Sequence, residues 1–328
     1  MKGILLIVGA GSIGKRHAHN ARALGLRIVV CDKDLRRAQK LALETKAEGY
    51  YANCKMACNE RKDITAAVIA TPSGFHVENA LFLAELGIHL FIEKPLATKM
   101  GGIDKLIETV KSKKIVTMMG QSYRFHEGYL AIKKMLDENA VGKILHVNFF
   151  GGQYLPDWHP KADYRTEYAA QKKLGGGVLF TSMSHTFDSV RFLFGEIKEL
   201  MGWKAKLSSL EIDVDDSVFC LIKTDKNIVV ECQSDFLQRV SKHRMIVVGE
   251  RGTVEADFVR HTISIHRVGT KERKRKYAYD PNKRYVDELK YFVALVKKRT
   301  RKHDLDINAG KRVVELLLSE KIKAITKI

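Results

Sequence analysis

The chain contains no apolar run near the ~18 residues that a bilayer-crossing helix requires. It has only five prolines, two tryptophans and five cysteines, and 38 acidic residues stand against 57 basic ones. The first absence excludes a membrane-spanning helix. The apolar stretch 4–8 runs into a glycine-rich turn where a secretory leader would carry its cleavage site, so a cytoplasmic protein is expected. The odd set Cys31, Cys54, Cys58, Cys220 and Cys232 is scattered among apolar neighbours, as reduced thiols are. Cys54 and Cys58 lack a second ligand pair at metal spacing, and no metal site is expected. What is present, 45% hydrophobic and 29% charged residues in 328, excludes wholesale disorder and suggests two domains at roughly 150 residues each.

The shortage of acid leaves a formal charge of +19, which raises nucleic acid as a partner. Residues 261–328 hold 19 Lys+Arg and 8 Asp+Glu, so +11 of the +19 lies in the last fifth of the chain. The charge is concentrated in 271–276 and 297–299, without the interleaved aromatics on which single-strand binders stack bases. A solvated face is expected, and neither nucleic acid nor membrane is expected as a partner.

Along the first 120 residues, short β-branched runs at 4–8, 27–31, 66–70, 89–92 and 115–119 alternate with amphipathic helical stretches such as 35–44, 77–86 and 103–111. That rhythm predicts a doubly wound parallel sheet covered on both faces, an α/β arrangement of the Rossmann kind. Beyond residue 121 come a helix around 129–138, a strand at 144–150, an irregular stretch at 151–177 and a helix at 179–194. Strands follow at 198–207, 217–223, 228–236, 244–248, 252–258 and 262–267, then helices at 284–298 and 308–325. The expected division is a dinucleotide domain over 1–121 and an α+β domain over 122–328 with an open, mostly antiparallel sheet. The C-terminal helices are free to pack back on the first domain.

Gly9-Ala10-Gly11-Ser12-Ile13-Gly14 follows the first strand and opens the first helix. In that context Gly9 permits the tight turn, Gly11 lets backbone approach a pyrophosphate, and Gly14 lets helix and strand pack closely. Free N–H groups around Ser12 and Ile13 and the positive helix end then face the phosphates. Asp32, 18 residues past Gly14, can accept from the ribose hydroxyls, or else cap the next helix. Its charge repels a 2′-phosphate and favours NAD, while Lys33, Arg36 and Arg37 can offset that repulsion and leave NADP open. Thr71-Pro72-Ser73-Gly74-Phe75-His76 falls at the carboxyl edge of the sheet, near the ribose and nicotinamide, and His76 can equally cap the following helix. Glu93-Lys94-Pro95 ends another strand there. A lysine preceded by an apolar strand and locked by proline is suited to proton transfer or to holding a substrate hydroxyl, because burial lowers its pKa.

These three motifs at these separations, with the later Gly175-Gly176-Gly177, resemble the glucose-fructose oxidoreductase, inositol dehydrogenase and rhizopine-catabolism (Gfo/Idh/MocA) family over nearly the whole chain. The resemblance implies a nicotinamide cofactor and hydride transfer at a carbon bearing a secondary hydroxyl of a sugar, polyol or sugar nucleotide. It implies a catalytic-site role for Lys94, places Glu93 and Gln121 with the cofactor, and brings Tyr123 and Arg124 toward the substrate. Homodimers or tetramers through the antiparallel sheet are implied as well.

Thr181, His185 and Asp188 are spaced to share one helix face, where His185 can take a hydroxyl proton with Asp188 orienting it, or else be a core histidine satisfied by Asp188. The resemblance implies the general base, with Thr181 toward the substrate. Family members that oxidise polyols carry Asp where this chain has Thr181, which puts inositol-like substrates in doubt. The aromatic stretch 154–165 offers Tyr154 and Trp158 to stack on a sugar, and His159, Lys161 and Arg165 to engage anionic oxygens. It resembles a subgroup tied to cell-surface carbohydrate synthesis; a lid or an inter-subunit contact is the other reading. The leading expectation is therefore an NAD(P)-dependent dehydrogenase or reductase with Lys94 and His185 flanking one carbon. A catalytically silent NAD(H)-binding regulator or scaffold is the reading from another class.

Overall fold

The structure, a computed structural model, describes residues 3–325. Two compact units divide the chain: residues 3–122 with 282–314, and residues 123–281 with 315–325. The first unit thus takes in the segment carrying the penultimate helix and most of the last.

In the first unit the strands are β1 (Ile4–Val8), β2 (Ile28–Cys31), β3 (Tyr50–Tyr51), β4 (Ile64–Ile69), β5 (His89–Glu93) and β6 (Thr117–Gly120). They form one sheet in the order β3-β2-β1-β4-β5-β6, every pair parallel. Each strand of β1, β2 and β4 is buried nearly throughout, as a parallel sheet covered on both faces requires. The helices are α1 (Ser12–Ala23), α2 (Leu35–Thr45), α3 (Cys54–Glu60), α4 (His76–Glu85) and α5 (Ile103–Ser112). The strand order reverses between β1 and β4, and in open α/β sheets the ligand crevice lies at such a switch point, outside the strands' carboxyl ends.

The second unit holds α6 (Glu127–Asp137), β7 (Ile144–Gly152) and α7 (Ser184–Phe194). Strands β8 (Ile197–Ala205), β9 (Ser217–Thr224), β10 (Val229–Asp235), β11 (Lys242–Gly249), β12 (Gly252–Asp257), β13 (Thr262–Arg267) and β14 (Arg273–Lys276) follow. After α8 (Lys283–Lys298) and α9 (Ile307–Leu317), β15 (Ile322–Ala324) returns to this sheet. Its order is β14-β13-β12-β11-β7-β10-β9-β8-β15, mostly antiparallel, with β7–β10 and β8–β15 parallel. Along β9 and β10 buried and open positions largely alternate, so one face makes a core and the other meets solvent.

One expectation is corrected here. The helix read over 308–325 stops at Leu317, and Ile322–Ala324 pairs with β8, because apolar spacing near a chain end suits either element. The basic run 271–276, read as a solvated face, contains edge strand β14, whose four side chains are indeed all exposed.

Candidate active site

The glycine loop is built as its spacing requires. Gly9 has φ +100°, and a Cβ there would meet the Ala70 carbonyl at 2.8 Å. A Cβ on Gly14 would lie 1.8 Å from the Gly9 carbonyl oxygen, so helix and loop cannot pack with any other residue. At Gly11 nothing stands within 4 Å of a Cβ; the backbone there faces open space. Gly11 is also the N-cap of α1 and has no side chain to cap it, which leaves the first-turn N–H groups for an anion. Ser12 is exposed and Ile13 half-buried at that end. Asp32 ties the loop down: its carboxylate accepts from Ala10 N–H at 2.7 Å and from Asp34 N–H at 2.8 Å. It is Asp34, not Asp32, that caps α2.

At the same carboxyl edge two buried polar atoms lack a hydrogen-bond partner among the described residues, Thr71 Oγ1 and Gln121 Oε1. Buried polar groups are normally satisfied, and a nucleotide with ribose hydroxyls and an amide has the complementary groups. The residues present therefore fit a dinucleotide. Pro72 is half-buried and Ser73 buried in the short turn Ser73–Phe75.

His76 neither caps α4 nor is open to a ligand. Its Nδ1 lies 2.8 Å from the Pro95 carbonyl oxygen and its Nε2 2.7 Å from that of Thr71, and burial pushes its pKa down. The ring bridges the loops after β4 and β5. Glu93 is likewise engaged within the protein: its Oε1 lies 2.7 Å from Nε2 of buried His17 on α1. Fully buried Glu288 on α8 completes a trio whose ligand-capable atoms lie within 4.8 Å of one another. Burial, and then the charge of Glu93, push the Glu288 carboxyl well above its ordinary range, against the pull of Arg284.

Lys94 follows at the end of β5, half-buried, with a cis peptide bond to Pro95. Desolvation pushes its ammonium down to about 8, opposed by Glu93. At that value the amine can exchange a proton near neutrality.

In the second unit, Leu179–Met183 forms a π-helical turn ahead of α7, so the continuous α-helix expected over 179–194 is corrected. The wider turn removes Thr181 from the α-helical phase it was read to share with His185, and such turns concentrate at functional sites. The Thr181 hydroxyl donates to the Gly177 carbonyl at 2.7 Å. A Cβ at Gly177, φ +95°, would strike Asp215 at 2.7 Å, and Asp215 accepts from Leu179 N–H at 2.8 Å. The glycine run therefore serves close packing under the π turn.

Asp188 does not orient His185. Its carboxylate takes a two-pronged grip from Arg124, at 2.8 and 2.7 Å, with both groups largely buried. The same pairing engages Arg124, expected at the substrate. Half-buried His185 instead stacks on Tyr123 at 4.4 Å between ring centroids.

The loop 154–165 uses most of its candidates internally. Arg165 is half-exposed and paired with Asp163 and Glu211, and His159 lies 3.3 Å from Glu167. Tyr154 lies under the Arg239 guanidinium at 3.6 Å. Trp158 packs edge-on against Phe236, and its buried indole N–H has no partner among the described residues. His17, Asp215 and Glu288 were absent from the sequence reading because each acts through a partner at least 36 residues away.

Two family models match the chain: an oxidoreductase family with an NAD-binding Rossmann fold over residues 5–121, and the GFO/IDH/MocA C-terminal domain over residues 129–255. A levoglucosan dehydrogenase of Pseudarthrobacter phenanthrenivorans is 31% identical over 201 residues, 58% of this chain and 50% of that protein. The chain thus spans about half the length of that relative. A myo-inositol 2-dehydrogenase of Thermotoga maritima is 26% identical over 302 residues, 89% of this chain and 87% of that protein. Among solved structures, a levoglucosan dehydrogenase in complex with NADH and levoglucosan superposes with a TM-score of 0.84 at 20% identity, covering 97% of this chain and 95% of that one. A UDP-N-acetylglucosamine 3-dehydrogenase from Acidithiobacillus ferrooxidans gives 0.78 at 19% identity, with 97% and 96% covered.

Proposed function

Because the chain belongs to the Gfo/Idh/MocA family of NAD-binding oxidoreductases, we propose that it transfers hydride between a nicotinamide cofactor and a hydroxyl-bearing or keto carbon of a sugar, sugar nucleotide or related polyol. The observation that carries this reading is Lys94: a half-buried amine at the carboxyl edge of the NAD-type sheet, desolvated down to about 8. Bound cofactor would supply the hydride acceptor or donor. The Gly9–Gly14 backbone would hold its phosphates, Asp32 its ribose, and Thr71 and Gln121 the polar groups beyond. Lys94 would exchange the hydroxyl proton with the substrate, and within its own unit His185 is the second candidate proton-transfer group.

The levoglucosan and inositol dehydrogenases among the relatives support a carbohydrate substrate. Thr181, with its proton engaged by Gly177, brings neither the charge nor the reach of an aspartate. This favours a sugar or sugar nucleotide over a free polyol. Trp158, whose N–H has no partner among the described residues, is a substrate-side candidate in the long loop.

We further propose a homo-oligomer formed through the open sheet face. Met201, Trp203, Leu221 and Val229 stand exposed there, Met201 directly opposite Leu221. A patch of this kind marks an interaction surface. The five cysteines are buried and unbridged, in keeping with a reducing, cytoplasmic setting.

Incubating the protein with NAD and a panel of sugars and sugar nucleotides, and following NADH absorbance, tests the reaction. Turnover that disappears in Lys94→Met while NAD still binds supports it. NAD binding with no turnover on any carbohydrate in either direction favours the silent regulator.

A further inference from the structure

The short turn Ser122–Phe125 precedes α6 and presents two adjacent side chains to α7. Tyr123 lies flat on His185, with ring centroids 4.4 Å apart and planes 23° from parallel. It also stacks on buried Tyr129, at 5.1 Å and 25°, and Tyr129 in turn stacks on Phe258 at 4.5 Å and 17°. The Tyr129 hydroxyl is fixed by His243 at 3.0 Å. His185 is therefore the outer member of a four-ring column whose far members, Tyr129 and Phe258, are buried in the core.

The next residue fixes the helix that carries the imidazole. Arg124 holds Asp188 through two parallel hydrogen bonds, and its guanidinium lies over Phe192, 5.2 Å from the ring centroid. A paired fork of this kind sets direction as well as distance. A carboxylate is the usual orienter of a histidine base, and here the adjacent carboxylate is engaged elsewhere.

We propose that Tyr123, assisted by the Arg124–Asp188 pair, is the positioning residue for His185: stacking sets the plane in which the two ring nitrogens act. Stacking constrains the face of the imidazole and acts apart from its edge, where the nitrogens are. The tyrosine needs its ring for this and not its hydroxyl. This inference rests on the proposed catalytic role of His185.

The test compares Tyr123→Leu with Tyr123→Phe. Two readouts are required: the ring-current displacement of the His185 imidazole protons by NMR, and the split between kcat and KM. The Leu variant is expected to lose the upfield displacement and to drop kcat roughly tenfold to a hundredfold, with KM within about twofold. The Phe variant is expected to restore both. A Phe variant as impaired as the Leu variant, or a loss confined to KM, would mean that Tyr123 touches substrate and would overturn the proposal. Displacement lost with kcat unchanged would overturn it too.

Should the Leu variant not fold, Arg124→Lys keeps the charge, removes the two-pronged grip and is read by the same two measurements, with the same signs expected. Failure of the catalytic reading itself is seen separately, as full activity in His185→Gln. In that case the NMR displacement still reports whether the stack exists.

Discussion

The two sheets bury themselves in different ways, and the difference explains where each unit keeps its chemistry. In the six-stranded sheet the central strands β1, β2 and β4 are buried and almost wholly apolar, and the candidate groups gather at its carboxyl edge, on the loops and at the end of β5. The nine-stranded sheet has one open face, and its candidate base sits on a helix, stacked on Tyr123 of the turn 122–125, behind which lie rings from α6, β11 and the 258 region. One unit is a scaffold with an edge; the other is a packed column beside an exposed surface.

The sharpest way to break this comparison is at the edge. Lys94→Met is expected to reduce kcat by a factor of roughly 10² to 10⁴, the range of a lost proton-transfer group, with NAD affinity unchanged by fluorescence titration. The same substitution is expected to stabilise the protein. An amine depressed to about 8 from 10.5 penalises folding fully below pH 8. That penalty fades as pH rises from about 8 to 10.5. Chemical denaturation at pH 7 and pH 10 should therefore show a gap between variant and parent that narrows at the higher pH.

Gly14→Ala is expected to destabilise the first unit by roughly 3 kcal/mol, the upper range for overpacking, since its methyl would overlap the Gly9 carbonyl. Loss of NAD binding should accompany the lower melting temperature. Glu288→Gln probes the core beneath the edge. The carboxyl has its folded pKa raised above the ordinary 4.5, so its contribution is complete below pH 4.5 and is lost as pH rises toward the raised value. The variant should match the parent near pH 4 and be the more stable protein at pH 7, as urea unfolding would show. Equal stability at both pH values would mean that the carboxyl is not a buried acid.

The smallest effect on folding is expected from Trp203→Glu on the open face, because the residue is 49% exposed. Its consequence should instead be on assembly, with sedimentation velocity showing smaller species than the parent.

What could be read from the sequence follows the same division. Strand β1 falls at 4–8 and β13 at 262–267, as their apolar patterns indicate, and the glycine loop declares itself because its chemistry is local in sequence. Strand β3, two residues long, carries no periodicity to detect. Asp188 shows why pairing is harder to read: His185 is a plausible partner three residues away, yet the carboxylate binds Arg124, 64 residues away. Pattern reasoning sees the short separation, whereas folding satisfies the buried group wherever a complementary one arrives.

The outermost strand of the larger sheet, Arg273–Lys276, exposes four cations in succession along a row of backbone groups that a further strand could otherwise join. A second copy aligning its own outer strand there would set positive side chains against positive side chains. At the other side the described sheet ends in the short strand Ile322–Ala324. A charged outer strand such as Arg273–Lys276 disfavours edge-to-edge splicing of copies, and neutralising those four charges is expected to weaken that protection while leaving the fold in place.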